Sequence, residues 1–211
     1  LDNDRAAAVA QWQSRALGGP GRRAKKEETM PEFVEFPSIP RLSRPCIITE
    51  KIDGTSGVVC VGEDGAVLAG SRSRWITPEQ DNHGFAAWVK AHEDELRDGL
   101  GPGTHYGEWW GIGIQKRYPM VTPKRWSLFN VSRWRETRPA CCDVVPVLYE
   151  GMFTTEAVEA ALQRLREGGS VAAPGCLRPE GVVIFHIQGR LLFKKTLERD
   201  EVPKGLANDG A

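Results

Sequence analysis

The chain has 211 residues, 40% apolar and 27% charged, a balance that allows a sizeable core and points to one folded domain, or one with an appendage. Basic and acidic residues number 28 each, so a polyanionic partner would have to meet a local basic face rather than overall charge. No apolar run nears the roughly 20 residues of a membrane span, and the first residues lack a secretion signal. The five cysteines show no C-x-x-C spacing and the four histidines are scattered, which argues against zinc and suits free thiols in a reducing, cytoplasmic setting.

Residues 1–29 hold Arg5, Arg15, Arg22, Arg23, Lys25 and Lys26 around the breaker run Gly18-Gly19-Pro20-Gly21. Such a segment cannot bury enough surface to fold alone. It is expected to be a flexible or loosely helical basic appendage, or a stretch upstream of the natural start; the alternative is an arm that touches phosphates. Residues 30–211 carry the folded domain.

In chain order, Cys46–Glu50, Gly57–Val61 and Ala66–Ala69 predict short strands, with Glu63-Asp64-Gly65 turning the last two into a hairpin. Phe85, Trp88, Val89, His92 and Leu96 fall on one helical stripe. Strands are expected again at Thr104–Trp109, Trp126–Val131 and Val144–Leu148. A second helix opens near Thr155 as its N-cap, puts Val158, Ala161, Leu162 and Leu165 on one face, and stops at Gly168-Gly169. Gly181–Ile187 and Arg190–Thr196 close the chain as two strands around a Gln188-Gly189 turn. This order predicts an α+β fold of mainly antiparallel sheets flanked by helices.

The most informative stretch is Thr49-Glu50-Lys51-Ile52-Asp53-Gly54-Thr55-Ser56-Gly57. Lys51 sits where a strand gives way to a glycine turn, so its amine can project into a cleft. An amine attacks phosphorus only after losing its proton, and bringing a lysine from about 10.4 to neutrality near pH 7 takes roughly 4 kcal/mol. Burial and neighbouring cations supply such a shift. Asp53 is placed to orient the amine or a metal-bound phosphate.

Lys-x-Asp-Gly alone is an ordinary strand end and turn. Its weight comes from five later segments: Ser71-Arg72-Ser73-Arg74, Tyr106-Gly107-Glu108-Trp109-Trp110-Gly111, Leu128-Phe129-Asn130-Val131, Glu180-Gly181-Val182-Val183 and Leu192-Phe193-Lys194-Lys195. In this order the segments resemble the motifs of the covalent nucleotidyltransferases, the ATP-dependent ligases and mRNA capping enzymes. Thr55 and Ser56 after Asp-Gly, with Phe36–Leu42 and Asp81–Phe85, resemble the RNA ligase branch. The implied fold is the nucleotidyltransferase (ATP-grasp-like) adenylation domain of polynucleotide ligases.

The resemblance implies ATP with Mg²⁺ or Mn²⁺ and a lysyl-AMP on Lys51, passed to a 5′-phosphate and sealed to a 3′-hydroxyl of RNA, the chemistry of RNA repair. By the same resemblance Glu50 reads the adenine amino edge, and Arg72 (favoured over Arg74) forks onto phosphate or ribose. Glu108 holds the ribose hydroxyls, Phe129 stacks on the base, and Glu180 binds the metal. Lys194 neutralises the α-phosphate. The family's last motif often reads Lys-x-Lys, whereas Lys194-Lys195-Thr196 sends Lys195 to the opposite face of a regular strand. Either Lys194 works alone or a bulge re-aims Lys195, which stays in the nucleotide set. Trp75, Trp109 and Trp110 are candidates for stacking on RNA, although single tryptophans more often pack.

Many relatives append a further domain, so end recognition is expected to fall to the core's surface, to residues 1–29 or to a partner protein. Self-adenylation is the firmer expectation and complete sealing the bolder one. The competing readings are a DNA ligase-like adenylating enzyme and a non-catalytic nucleotide- or RNA-binding module.

Overall fold

The computed structural model describes residues 32–198 and 200–201; the basic appendage expected over 1–29 lies outside them. Of the described residues, 32–38 belong to one unit and those from Ile39 onward to another. Residues 32–38 are exposed and carry no regular secondary structure.

Two sheets make the second unit. The smaller has the order β10-β9-β1-β8, with β1 at Pro45–Lys51, β8 at Val147–Met152, β9 at Gly181–His186 and β10 at Leu191–Thr196. The larger runs β4-β3-β2-β5-β6-β7, from β2 (Thr55–Val61), β3 (Val67–Gly70), β4 (Trp75–Ile76), β5 (Gly103–Trp110), β6 (Arg125–Leu128) and β7 (Asp143–Val144). Pairing is antiparallel except between β6 and β7. The expected α+β class with mainly antiparallel sheets is what the chain adopts.

Each sheet buries one face under helix. Helix α1 (Phe85–Ala91) and α2 (Glu93–Leu100) set Phe85, Val89 and Leu96 against Val59, Trp109, Trp126 and Leu128 of the larger sheet. The anticipated single stripe is split at His92, where the backbone leaves helical geometry (φ −114°, ψ 20°). Glu93, Asp94 and Glu95 then start α2 with acids in its first turn, where they favour the positive end of the helix dipole. Helix α4 (Thr155–Gly168) lays Val158, Ala161, Leu162 and Leu165 on Cys46, Ile48, Val182 and Ile184 of the smaller sheet. A third cluster, with Ile47 and Ile52 against Trp110, Tyr118 and Val131, joins the two sheets.

Two further expectations shift. Val131 does not extend β6; it opens the short helix α3 (Val131–Trp134), capped by the Asn130 side chain accepting from the Arg133 amide. The cap of α4 is Thr154 rather than Thr155, its hydroxyl accepting from the Ala157 amide at 3.1 Å. In both cases a polar side chain one residue from the expected boundary captures an orphan helix N–H.

Candidate active site

Strand β1 ends at Lys51 and β2 begins at Thr55, so the chain crosses from one sheet to the other through Ile52-Asp53-Gly54. Buried Ile52 anchors this turn in the cluster shared by the sheets. Antiparallel pairing sets Lys51 opposite Gly181, which brings the preceding Glu180 alongside. The Lys51 amine lies 2.5 Å from Glu180 Oε2, with the two side chains 19% and 5% exposed. Glycine at 181 is required by the neighbouring strand: at φ 153°, a Cβ there would lie 2.2 Å from the Lys195 carbonyl oxygen of β10.

Glu108 reaches the same spot from the larger sheet. It sits opposite Ser56 on β5, and its Oε1 accepts from the Gly54 amide at 3.0 Å. Burial pushes its carboxyl up to about 7, partly offset by the Lys51 charge and the Gly54 hydrogen bond, while Glu180 and Asp53 push the same way as burial. Gly54 is as constrained as its acceptor. A Cβ there would come within 2.5 Å of the Trp109 carbonyl oxygen and 3.0 Å of Glu108 Cγ.

Asp53 is engaged by Arg117, a residue that no sequence pattern singles out. The Asp53 carboxylate meets Arg117 Nε at 3.2 Å. The same guanidinium donates to the carbonyls of Arg178 (3.0 Å) and Pro179 (3.3 Å) and pairs with Glu198 at 3.5 Å. Arg117 thus ties the turn after Lys51 to the segment that presents Glu180. It lies between β5 and β6 in no recognisable motif, and only the tertiary fold reveals its five-donor fork.

Strand alternation sorts the other candidates. Lys194 pairs with Val183, which pairs with Thr49, so it shares the sheet face of Lys51, and it is exposed. Lys195 faces α4 and meets Glu159 at 2.7 Å. No bulge re-aims it, and its place in the nucleotide set is corrected: its charge is spent on the helix side of the sheet. Phe129 follows directly after β6, on the face of Glu108, and is 44% exposed. Arg72 and Arg74 lie in the exposed turn between β3 and β4, closed by the Ser71 amide on the Arg74 carbonyl; in a turn, strand alternation does not choose between them.

Glu50 also departs from expectation. Neighbouring Lys51 in an extended strand, it points to the opposite face, and only 1% of it is exposed. Its oxygens accept from Ser170 Oγ (2.5 Å) and from the amides of Val171 (2.8 Å) and Ala172 (2.9 Å). A carboxylate committed to three internal donors is a buried clasp on the 170–172 loop, which replaces its expected role in reading an adenine edge. Trp109 and Trp110 are core residues, whereas Trp75 stands 58% exposed.

Two sheets, an amine at the crossing between them and acids from both define a nucleotidyltransferase-type α+β fold. Solved structures share it. Naegleria gruberi RNA ligase with PPi matches at TM-score 0.52 and 19% identity over 85% of this chain and 61% of that one. An apo mutant matches at 0.53 and 18% (74% and 50% covered), and a mutant with ATP and Mn at 0.51 and 16% (73% and 50%). The chain spans about half the length of most of these structures. No curated protein sequence matches it.

The family model described as RNA ligase matches residues 44–196, and the chain belongs to that family. No helix among the described residues is long and apolar enough to cross a membrane.

Proposed function

We propose that this chain is the adenylating domain of an ATP-dependent RNA ligase, with Lys51 as the nucleophile. The carrying observation is the convergence of Lys51, Glu180 and Glu108 at the turn between the sheets. The Lys51 nitrogen attacks the α-phosphorus of ATP. A P–N bond forms, the bond to pyrophosphate breaks, and the amine gives up a proton. Glu180 is the acceptor within hydrogen-bond reach. The AMP then passes from Lys51 to a 5′-phosphate, and a 3′-hydroxyl displaces AMP to seal the ends. Naegleria ligase structures named with ATP, AMP and Mn support a nucleotide and a divalent ion as partners.

Among the described residues no three His, Cys, Asp or Glu side chains gather into a metal cage. The site instead suits a hard cation that keeps waters and takes phosphate oxygens beside one or two carboxylates, with Glu180 holding it and Glu108 near. Such an ion supplies charge neutralisation for the phosphates. Glu108 accepts from ribose hydroxyls, Phe129 stacks on the purine, Arg72 forks onto phosphate or ribose oxygens, and exposed Lys194 offsets charge at the α-phosphate. Asp53, held by Arg117, positions the turn that presents Lys51. The catalysis this supports is chiefly positioning and charge neutralisation.

Incubation with ATP and MgCl₂ followed by intact-mass measurement tests the proposal. The expected result is a gain of one adenylate, absent in Lys51→Ala, whose folding is checked in parallel by circular dichroism because the substitution takes the cation away from buried Glu180. An unchanged mass across metals and pH, or an adduct that survives in Lys51→Ala, would overturn it.

A further inference from the structure

The larger sheet buries one face under α1 and α2, while much of the other carries apolar side chains in the open. Gly57, Val59 and Gly107 point into the helix side: Cβ atoms at the two glycines would strike Phe85 and Trp126. The residues between them in sequence therefore lie on the opposite face. On that face, register builds one row across four strands and the residue that follows β6. Phe129 follows β6 beside Tyr106 of β5, its amide donating to the Tyr106 carbonyl at 3.0 Å. Tyr106 pairs with Val58, Val58 with Gly70, and Gly70 with Trp75. Gly70 leaves room for the indole, whose Cε3 lies 3.1 Å from where a Cβ would stand, with Val58 Cβ 3.3 Å from the same point. Tyr106 and Trp75 are both 58% exposed.

With Phe129 given to the purine, Trp75 and Tyr106 remain on this face as large aromatics in the open, separated by Val58 and Gly70, a surface suited to an occupant. The row contains no carboxylate, and at its outer end the β3–β4 turn presents Arg74, which is outside the nucleotide set and in no salt bridge among the described residues. Its inner end, Phe129, lies two residues beyond Ser127, the strand partner of Glu108. The surface is thus continuous with the site around Lys51, aromatic along its length and cationic at its far end. Base–aromatic stacking with a flanking positive charge is how single-stranded nucleic acid is held without sequence readout.

We propose that Trp75 and Tyr106 form a stacking platform that holds the unpaired nucleotides of an RNA strand leading to the adenylation site. This rests on the reading of the chain as an RNA ligase. It adds an RNA-engaging surface on the core itself.

The test uses the full chain and a short, labelled, 5′-phosphorylated single-stranded RNA, alone or annealed to its complement. Affinity is read by fluorescence anisotropy and the lysyl adduct by intact mass. Trp75→Ala and Tyr106→Ala are each expected to weaken single-strand binding about tenfold or more. Their adduct formation with ATP should stay at the wild-type level, because neither ring belongs to the nucleotide set. Trp75→Phe and Tyr106→Phe, which keep a flat ring, should retain most of the affinity. Wild-type affinity in both alanine variants would overturn the platform. So would an equal loss for the annealed duplex, whose bases are already stacked. An absent adduct in the wild-type chain strikes instead at the ligase reading, and the anisotropy comparison still decides the platform.

Discussion

Gly54 shows how much of this site depends on a single missing side chain. Its amide is the donor to Glu108, and the space where a Cβ would stand is taken by the Trp109 carbonyl and Glu108 Cγ. Gly54→Ala must therefore shift backbone or displace the carboxylate. The expected outcome is a loss of about 1–3 kcal/mol in a denaturant melt, with adenylation slowed at least tenfold in a mass time course. Glu108 itself makes stability depend on pH. Its folded value of about 7 lies above the ordinary 4.5, so between those limits the folded state binds more protons than the unfolded one. Stability should then fall as pH rises from about 4.5 to about 7. Glu108→Gln should flatten that fall, as melting temperatures across the range would show; an unchanged slope would mean that its carboxyl ionises like an exposed one.

At the scale of elements, boundaries depend on which side chain captures a free backbone group. Thr154 and Thr155 are adjacent and chemically alike, yet only Thr154 accepts from Ala157 to cap α4. Thr154→Ala should cost about 1 kcal/mol in chemical denaturation and Thr155→Ala only a few tenths; equal effects would contradict the assigned cap. Strand alternation has the same decisiveness. It separates Glu50 from Lys51 and Lys195 from Lys194 by turning one of each pair toward α4. Both separations were legible in the period of two. For Lys195 that period raised the opposite face while the resemblance kept it in the nucleotide set; for Glu50 the role implied by the resemblance was taken over the period.

Across the whole molecule, the site forms where the chain changes sheets. Lys51 ends one, Glu108 comes from the other, and Glu180 arrives 129 residues later through pairing of β9 with β1. The apolar patterning, the glycine turns and the ordered motifs were readable in the chain, because local periodicity and turn chemistry determine strands, helices and their faces. They sufficed for the fold class and the family. Only tertiary structure decided that Arg117 clamps Asp53 to the segment before Glu180, that Glu50 is consumed by the 170–172 loop, and that Trp75 stands in the open while Trp109 and Trp110 are buried. Those outcomes depend on which distant backbone or side chain arrives at a given point. No local pattern encodes the arrival, since the donors to Glu50 lie 120 or more residues away along the chain.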